Sequence, residues 1–468
     1  MLHFTGKKRG TSVAAFLLAL SMVFSVSAIA PSTASAAEND DKAVSAPADS
    51  AENHEYFHGD GADGSYYSLL DEGVVTPVKM QEGGTCWVNG AATSMESCRL
   101  KANGESIEID PMALLDDVYL DPEHEGFFLK KGVNVVEYGG WNWMVVESAA
   151  NGVGDNGYVL SEAIDGTFEG HDIDTYKDMI RNYGGVAVSI SDATAGAAYK
   201  LNDGYCTYNA PDADPDHEAV LIGWDDNFPA EYFQKKASRD GAFLCQNSRG
   251  DKWGKGGYYW VSYDTPLDSA TSYILTDNYC RVDHYDGGKE NTIKTGDTTT
   301  VGNVFSSTGG YLAAVGTYTM YQGQKITVEV RDGRFGDLLA TVDAQFDYPG
   351  YHIVRLPEAL DVKDYSIDVT YDGEAPVEGE DLEFSESLYY DVGSEAGQSF
   401  VLIKDEWLDL TDKTTIAKLA IDFEPNNACV KALFKAEPDK TKAEMIFIYV
   451  KELIRELWNS FTENFIFG

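Results

Sequence analysis

Positive charge is scarce in this chain. Thirty-five Lys and Arg stand against 77 Asp and Glu, for a formal charge of −42. That balance argues against nucleic acid and anionic membrane as partners and favours solubility. Beyond residue 36 no stretch approaches the ~20 uninterrupted apolar residues of a spanning helix. No Cys or His spacing matches a zinc site, so no metal or cofactor is expected. The acidic loop at 373–386, GEAPVEGEDLEFSE, lacks EF-hand spacing and reads as solvated rather than calcium-holding.

What is present begins with a secretory pattern at residues 1–36. Lys7, Lys8 and Arg9 make a positive start, Val13 to Ile29 an apolar core, and Ala34-Ser35-Ala36 a cleavage site. Its removal takes three basic residues and no acid, leaving the mature chain three units more negative. Export and a secreted or cell-surface location are expected. Residues 37–63 are acidic, rich in Ala, Asp and Ser, and poor in large apolar residues, the composition of a disordered linker.

The stretch that organises the rest is Gln81 to Met95, QEGGTCWVNGAATSM. Gly83, Gly84 and Thr85 lead into a helical pattern in which Val88, Ala91, Met95 and Cys98 share one apolar face. Asn103-Gly104 should end it. Cys86 then lies in the first turn, with Thr85 as a candidate N-cap. The partial positive charge of a helix N-terminus favours an anion, so a thiol placed there should be acidified. Taken alone, Cys86 reads first as a small buried hydrophobe, and only the downstream partners reverse that reading.

Two downstream segments supply what a thiolate needs. PDHEAVLIGWDDN puts His217 at the head of an apolar run, Ala219 to Trp224, that reads as a buried strand. GAFLCQNSRGDKWGKGGYYWVSY puts Asn247 at the end of another such run, before a Gly-rich loop and a strand from Gly257 to Tyr263. They follow Cys86 by about 130 and 160 residues, against ~130–150 in papain-like enzymes.

With these pieces in order, residues 64–285 resemble the catalytic domain of papain-like (cathepsin-type) cysteine peptidases. The matching segments are DEGVVTPVKMQ, GTCW, Gly139-Gly140, Asp216-His217, and NSRGDKWG from Asn247 to Gly254. The resemblance implies Cys86 as nucleophile, His217 as proton acceptor and donor, Asn247 orienting the imidazole, and Gln81 binding the oxyanion. Gly139, Gly140, Asp216 and Trp253 would line the substrate, with Gly140 pairing to its backbone and Trp253 on the leaving-group side. Three positions depart from the pattern. Gln81 precedes Cys86 by five residues where the family has six. Arg249 stands where a Trp shields the Asn–His bond, and Gly83 where a disulfide Cys is usual.

Six cysteines in an exported chain suggest disulfides. A free nucleophile leaves an odd five, and Cys98 and Cys245 fall in buried patterns, as packed thiols. The region from Glu105 to Asn202 alternates helices and Gly-rich loops, and Gly185 to Tyr285 is strand-rich. The expected class is α+β: a two-lobed papain-like fold, a helical lobe facing a β-rich lobe.

Residues 290–435 change texture to short alternating strands with turn signals, an antiparallel sandwich or jelly roll. With AGQSF and NACVKALF, they resemble the lectin-like domain attached to some bacterial papain-family peptidases. That likeness implies a possible carbohydrate ligand, although a module that only packs remains open. From 439 to 468, Ile446, Phe447, Val450, Leu453, Ile454, Leu457, Trp458, Phe461 and Phe465 cluster at helical spacing. An amphipathic C-terminal helix should dock on the protein, self-associate, or, as the less favoured option, lie on a membrane. The expected activity is hydrolysis of protein or peptide substrates by an exported cysteine endopeptidase. Two alternatives stay open: a catalytically inert adhesin, and a Cys-dependent cell-wall amidase or transpeptidase.

Overall fold

A single 18-residue helix, Cys86–Asn103, is sunk into the molecule so deeply that every residue from Trp87 to Cys98 is buried. The predicted stripe of Val88, Ala91, Met95 and Cys98 is part of that surface. Beside Trp87 and Glu96, much of the remaining surface is small or short and polar, as at Gly90, Thr93, Ser94 and Ser97, which lets strands approach from the other sides. The helix stops as the sequence indicates: Gly104 takes φ 73 and its N–H closes on the Leu100 carbonyl, the left-handed cap that glycine adopts without a Cβ penalty.

The computed structural model describes residues 63–119, 126–152, 154, 157–168, 170–191, 199–201, 205–379, 382–383, 385–391, 393–438 and 451. The expected signal peptide (1–36) lies outside them. So do all but the last residue of the linker (37–63) and all but residue 451 of the C-terminal helix (439–468).

The Cys86 helix packs on an antiparallel sheet whose centre is His217–Asp225, buried along its whole length. Val186–Ile190 pairs on one side, with Ile190 opposite His217 and Ser189 opposite Glu218. Ala242–Gln246 pairs on the other, followed by Tyr258–Ser262. Core lies on both faces, which is why the strand reads as a nearly unbroken apolar run rather than an alternating one.

Strands from residue 281 onward form a β-sandwich. One layer has six strands, with Thr298–Ser306 between Asp364–Asp372 and Ser399–Ile403. The other contains Val430–Lys435, Tyr311–Thr319 and Gly350–Leu360. Val301, Val328, Ile367 and Val369 meet Leu312, Val430, Ala432 and Phe434 between the layers. The fold is thus mostly β, with few helices.

The second layer does not end at the sandwich. Gly350–Leu360 also pairs with Val159–Asp165, Tyr351 lying opposite Ala163, so one sheet runs through both parts of the molecule. Gly350 permits the contact: its φ is 131 and a Cβ there would overlap the Ala163 carbonyl oxygen. Around this junction are buried charges. Lys431 is fully buried, paired with Asp286 and donating to Asn151 Oδ1 at 2.5 Å. Glu378 is also fully buried and accepts from Tyr390 at 2.6 Å and Asn427 at 2.7 Å. The 373–386 loop is therefore not uniformly solvated as expected, because Ala375–Val377 is a buried strand that carries Glu378 inward.

Candidate active site

The helix begins at Cys86, half-buried, but Thr85 does not cap it as expected. Its hydroxyl donates backward to the Glu82 carbonyl at 2.8 Å. The Asn89 amide meanwhile donates to the Thr85 carbonyl at 2.8 Å. Asn89 is thereby tied into its own helix turn. The glycines before Cys86 are pressed on the neighbouring loop: Gly84 N–H donates to Val136 O at 2.8 Å, and a Cβ on Gly83 would stand 2.7 Å from that oxygen. Gly139 and Gly140 come next to this turn. A Cβ on Gly140 would meet the Trp87 ring at 2.5 Å, so only glycine lets that backbone lie flat beside Cys86's neighbour.

His217 and Asn247 are brought together by adjacent strands. His217 starts one strand, and Asn247 follows directly on the Ala242–Gln246 strand paired with it. His217 Nε2 and Asn247 Oδ1 are 3.2 Å apart, and Oδ1 also accepts from Ser248 N at 2.7 Å. Both side chains are buried, at 6% and 2% exposure, even with Arg249 in place of a Trp. The Cys86 thiol lies close enough to the backbone N–H of Glu218, the residue after His217, for that dipole to favour its thiolate.

Gln81 is anchored at both ends of its amide. Its Oε1 accepts from Ser248 Oγ at 2.6 Å and its Nε2 donates to the Gly83 carbonyl at 2.8 Å. Asp216 is exposed and its N–H donates to Ile190 O at 3.0 Å. Trp253 packs edge-on against Tyr259 with ring centres 5.1 Å apart. The structure thus gathers Cys86, His217, Asn247 and Gln81 in one region, with Gly139 and Gly140 on the Trp87 side.

The expected acidification of Cys86 is not met in this arrangement. Burial first, and the nearby Glu218 carboxylate second, push the thiol up to about 11, while the backbone amides of Glu218 and Trp87 pull it down less strongly. Desolvation outweighs the helix terminus. Glu218 itself escaped the motif reading. It is 2% exposed, and burial raises its carboxyl well above the usual range. The signal was available, as a charge directly after His217 at the head of a buried strand. The five cysteines other than Cys86 are also free, with Cys98 and Cys245 buried as expected. Among the described residues no group of three or more His, Cys, Asp or Glu side chains is placed to hold a metal ion.

No curated protein matches this chain in sequence. Residues 283–433 match the family described as "Lectin like domain". Among solved structures, the cysteine protease and lectin-like domains of Cwp84, a surface layer associated protein of Clostridium difficile, superpose with a TM-score of 0.65 at 18% identity. That match covers 80% of this chain and 89% of the other. The clostridial cysteine protease Cwp84 after propeptide cleavage gives 0.64 at 17% identity, covering 80% and 99%. The chain therefore shares the fold of the cysteine protease and lectin-like domains of Cwp84.

Proposed function

We propose that this chain is an exported cysteine endopeptidase that hydrolyses peptide bonds through a thioester on Cys86. The observation that carries the reading is the buried His217–Asn247 hydrogen bond beside a cysteine at a helix N-terminus. With Nε2 held by Asn247, Nδ1 is the ring nitrogen that exchanges a proton with the thiol. Proton transfer from Sγ to His217 produces a thiolate–imidazolium pair, whose mutual attraction offsets the burial that otherwise keeps the thiol neutral. Asn247 orients the imidazolium without adding a charge.

The thiolate adds to the substrate carbonyl. The oxyanion takes the Cys86 backbone N–H and the second N–H of Gln81, whose first is used by Gly83. His217 protonates the leaving amine and then activates the water that cleaves the thioester. Gly140 pairs with the substrate backbone, Gly139 and Asp216 help line the substrate, and Trp253 lines the leaving-group side. The cleft lies between the helical portion that carries Cys86 and the β-rich portion that carries His217. Residues 64–285 form the peptidase domain and 290–435 the lectin-like domain, for which a carbohydrate is the candidate ligand and a module that only packs the alternative.

The test is labelling by an irreversible thiol inhibitor followed by digestion of a peptide library, with Cys86→Ala as control. Labelling of Cys86 together with its loss of cleavage in the variant is expected. Labelling without cleavage of any peptide points to an inert adhesin, and cleavage confined to cell-wall peptides to an amidase.

A further inference from the structure

Glu218 is a charged residue in a fully buried strand, and its surroundings are built for it. Strand alternation places its side chain on the opposite face of the strand from His217, against the Cys86 helix. There Gly90, one turn after Cys86, leaves room for it: a Cβ on Gly90 would stand 2.6 Å from Glu218 Cγ. Oε2 accepts from Ser189 Oγ at 3.2 Å. The Asn142 side chain lies beside the same carboxyl. Asn142 also donates its Nδ2 to the Ser269 carbonyl.

Two buried oxygens remain without a hydrogen-bond partner, Oε1 of Glu218 and Oδ1 of Asn142. Both are acceptors when Glu218 is ionised, an arrangement costly to bury. Burial favours the protonated carboxyl over the Ser189 and Asn142 contacts that favour its ionised form, and its O–H is then the donor available to Asn142 Oδ1. The titratable groups beside it are Cys86 on the helix, Tyr273 on the Asp268–Thr276 strand, and His217 in the chain. Asn142 comes two residues after Gly140, so the carboxyl joins the strand of His217 to the segment that would bind substrate.

We propose that Glu218 is a positioning residue for the nucleophile: protonated, it clamps the Gly139–Asn142 segment to the His217 strand, and ionised, it opposes a thiolate at Cys86. The proposal rests on Cys86 and His217 being the reacting pair.

Glu218→Gln keeps a donor toward Asn142 and an acceptor for Ser189 but cannot ionise. Glu218→Ala removes the clamp, and Gly90→Ala displaces the carboxyl without removing it. The alkylation rate of Cys86 by iodoacetamide is followed across pH, alongside kcat and KM for a peptide substrate. Glu218→Gln should shift the thiolate profile down by about one pH unit, about tenfold in rate at a fixed alkaline pH, with KM retained. Glu218→Ala and Gly90→Ala should raise KM. A Gln profile superimposed on wild type, or an unchanged KM in both alanine variants, overturns the proposal. The two readings fail separately. If Cys86→Ala still cleaves peptide, the peptidase assignment falls even where the alkylation shift is seen. If Cys86→Ala is inactive while the Gln profile is unshifted, only the role of Glu218 falls.

Discussion

Ser248 Oγ donates to Gln81 Oε1 across 2.6 Å, and the backbone N–H of Gln81 donates to the Ser248 carbonyl at 2.7 Å. A loop one residue short of the family step therefore still holds Gln81 to the residue that follows Asn247. Loss of one preorganised oxyanion donor costs ~10²–10³ in kcat. Gln81→Ala is expected to fall in that range with little change in KM, measured on a peptide substrate. Ser248→Ala, which loses one positioning hydrogen bond of about 1 kcal/mol, should cost only several-fold. Wild-type rates in Gln81→Ala would mean that a backbone N–H of the Gly83-Gly84 run takes its place.

Cys86→Ala and His217→Ala should both be inactive, because no neighbouring side chain can form the thioester or carry its proton. Asn247→Ala should keep a reduced rate, since it removes orientation rather than chemistry. Full turnover in Cys86→Ala defeats the assignment.

Glu290 ties stability to pH. Burial raises its carboxyl from 4.5 to about 7, while its hydrogen bonds with Gly379 and Tyr390 act in the opposite sense. The folded state thus holds a proton that the unfolded chain would release. This contribution is complete below about pH 4.5 and is lost as pH rises toward 7. Thermal midpoints should decline across that window, and Glu290→Gln should flatten part of the slope. Glu147 and Glu378 are raised in the same direction by burial and add to the loss. An identical pH profile in the variant would show that Glu290 is not the group titrating.

Lys431 is the buried cation of the junction, and removing it leaves Asp286 enclosed without its partner. Breaking such a pair costs about 3–5 kcal/mol. Lys431→Met should therefore be strongly destabilising in denaturant unfolding. Lys431→Met with Asp286→Asn should recover much of the loss, because an amide in place of the carboxylate leaves no unpaired charge.

Much of the local order was legible because it depends on neighbours in sequence. Periodicity and Asn103-Gly104 determine the Cys86 helix and its end, and the run from Ala219 to Trp224 determines a buried strand headed by His217. The order of Cys86, His217 and Asn247 carries the family resemblance. Pairing across long separations was not legible, since register depends on which strands meet. Only the tertiary structure sets Ser189 opposite Glu218, and only it buries Lys431 beside Asp286, residues that local composition reads as surface. The sequence marks a change of texture near residue 285. Yet Tyr351 pairs with Ala163, and that pairing makes one continuous sheet of two segments the sequence presents as separate domains. The thiol shows the same division. Cys86's place at a helix terminus is written in its neighbours, whereas the burial that pushes its thiol up comes from tertiary packing.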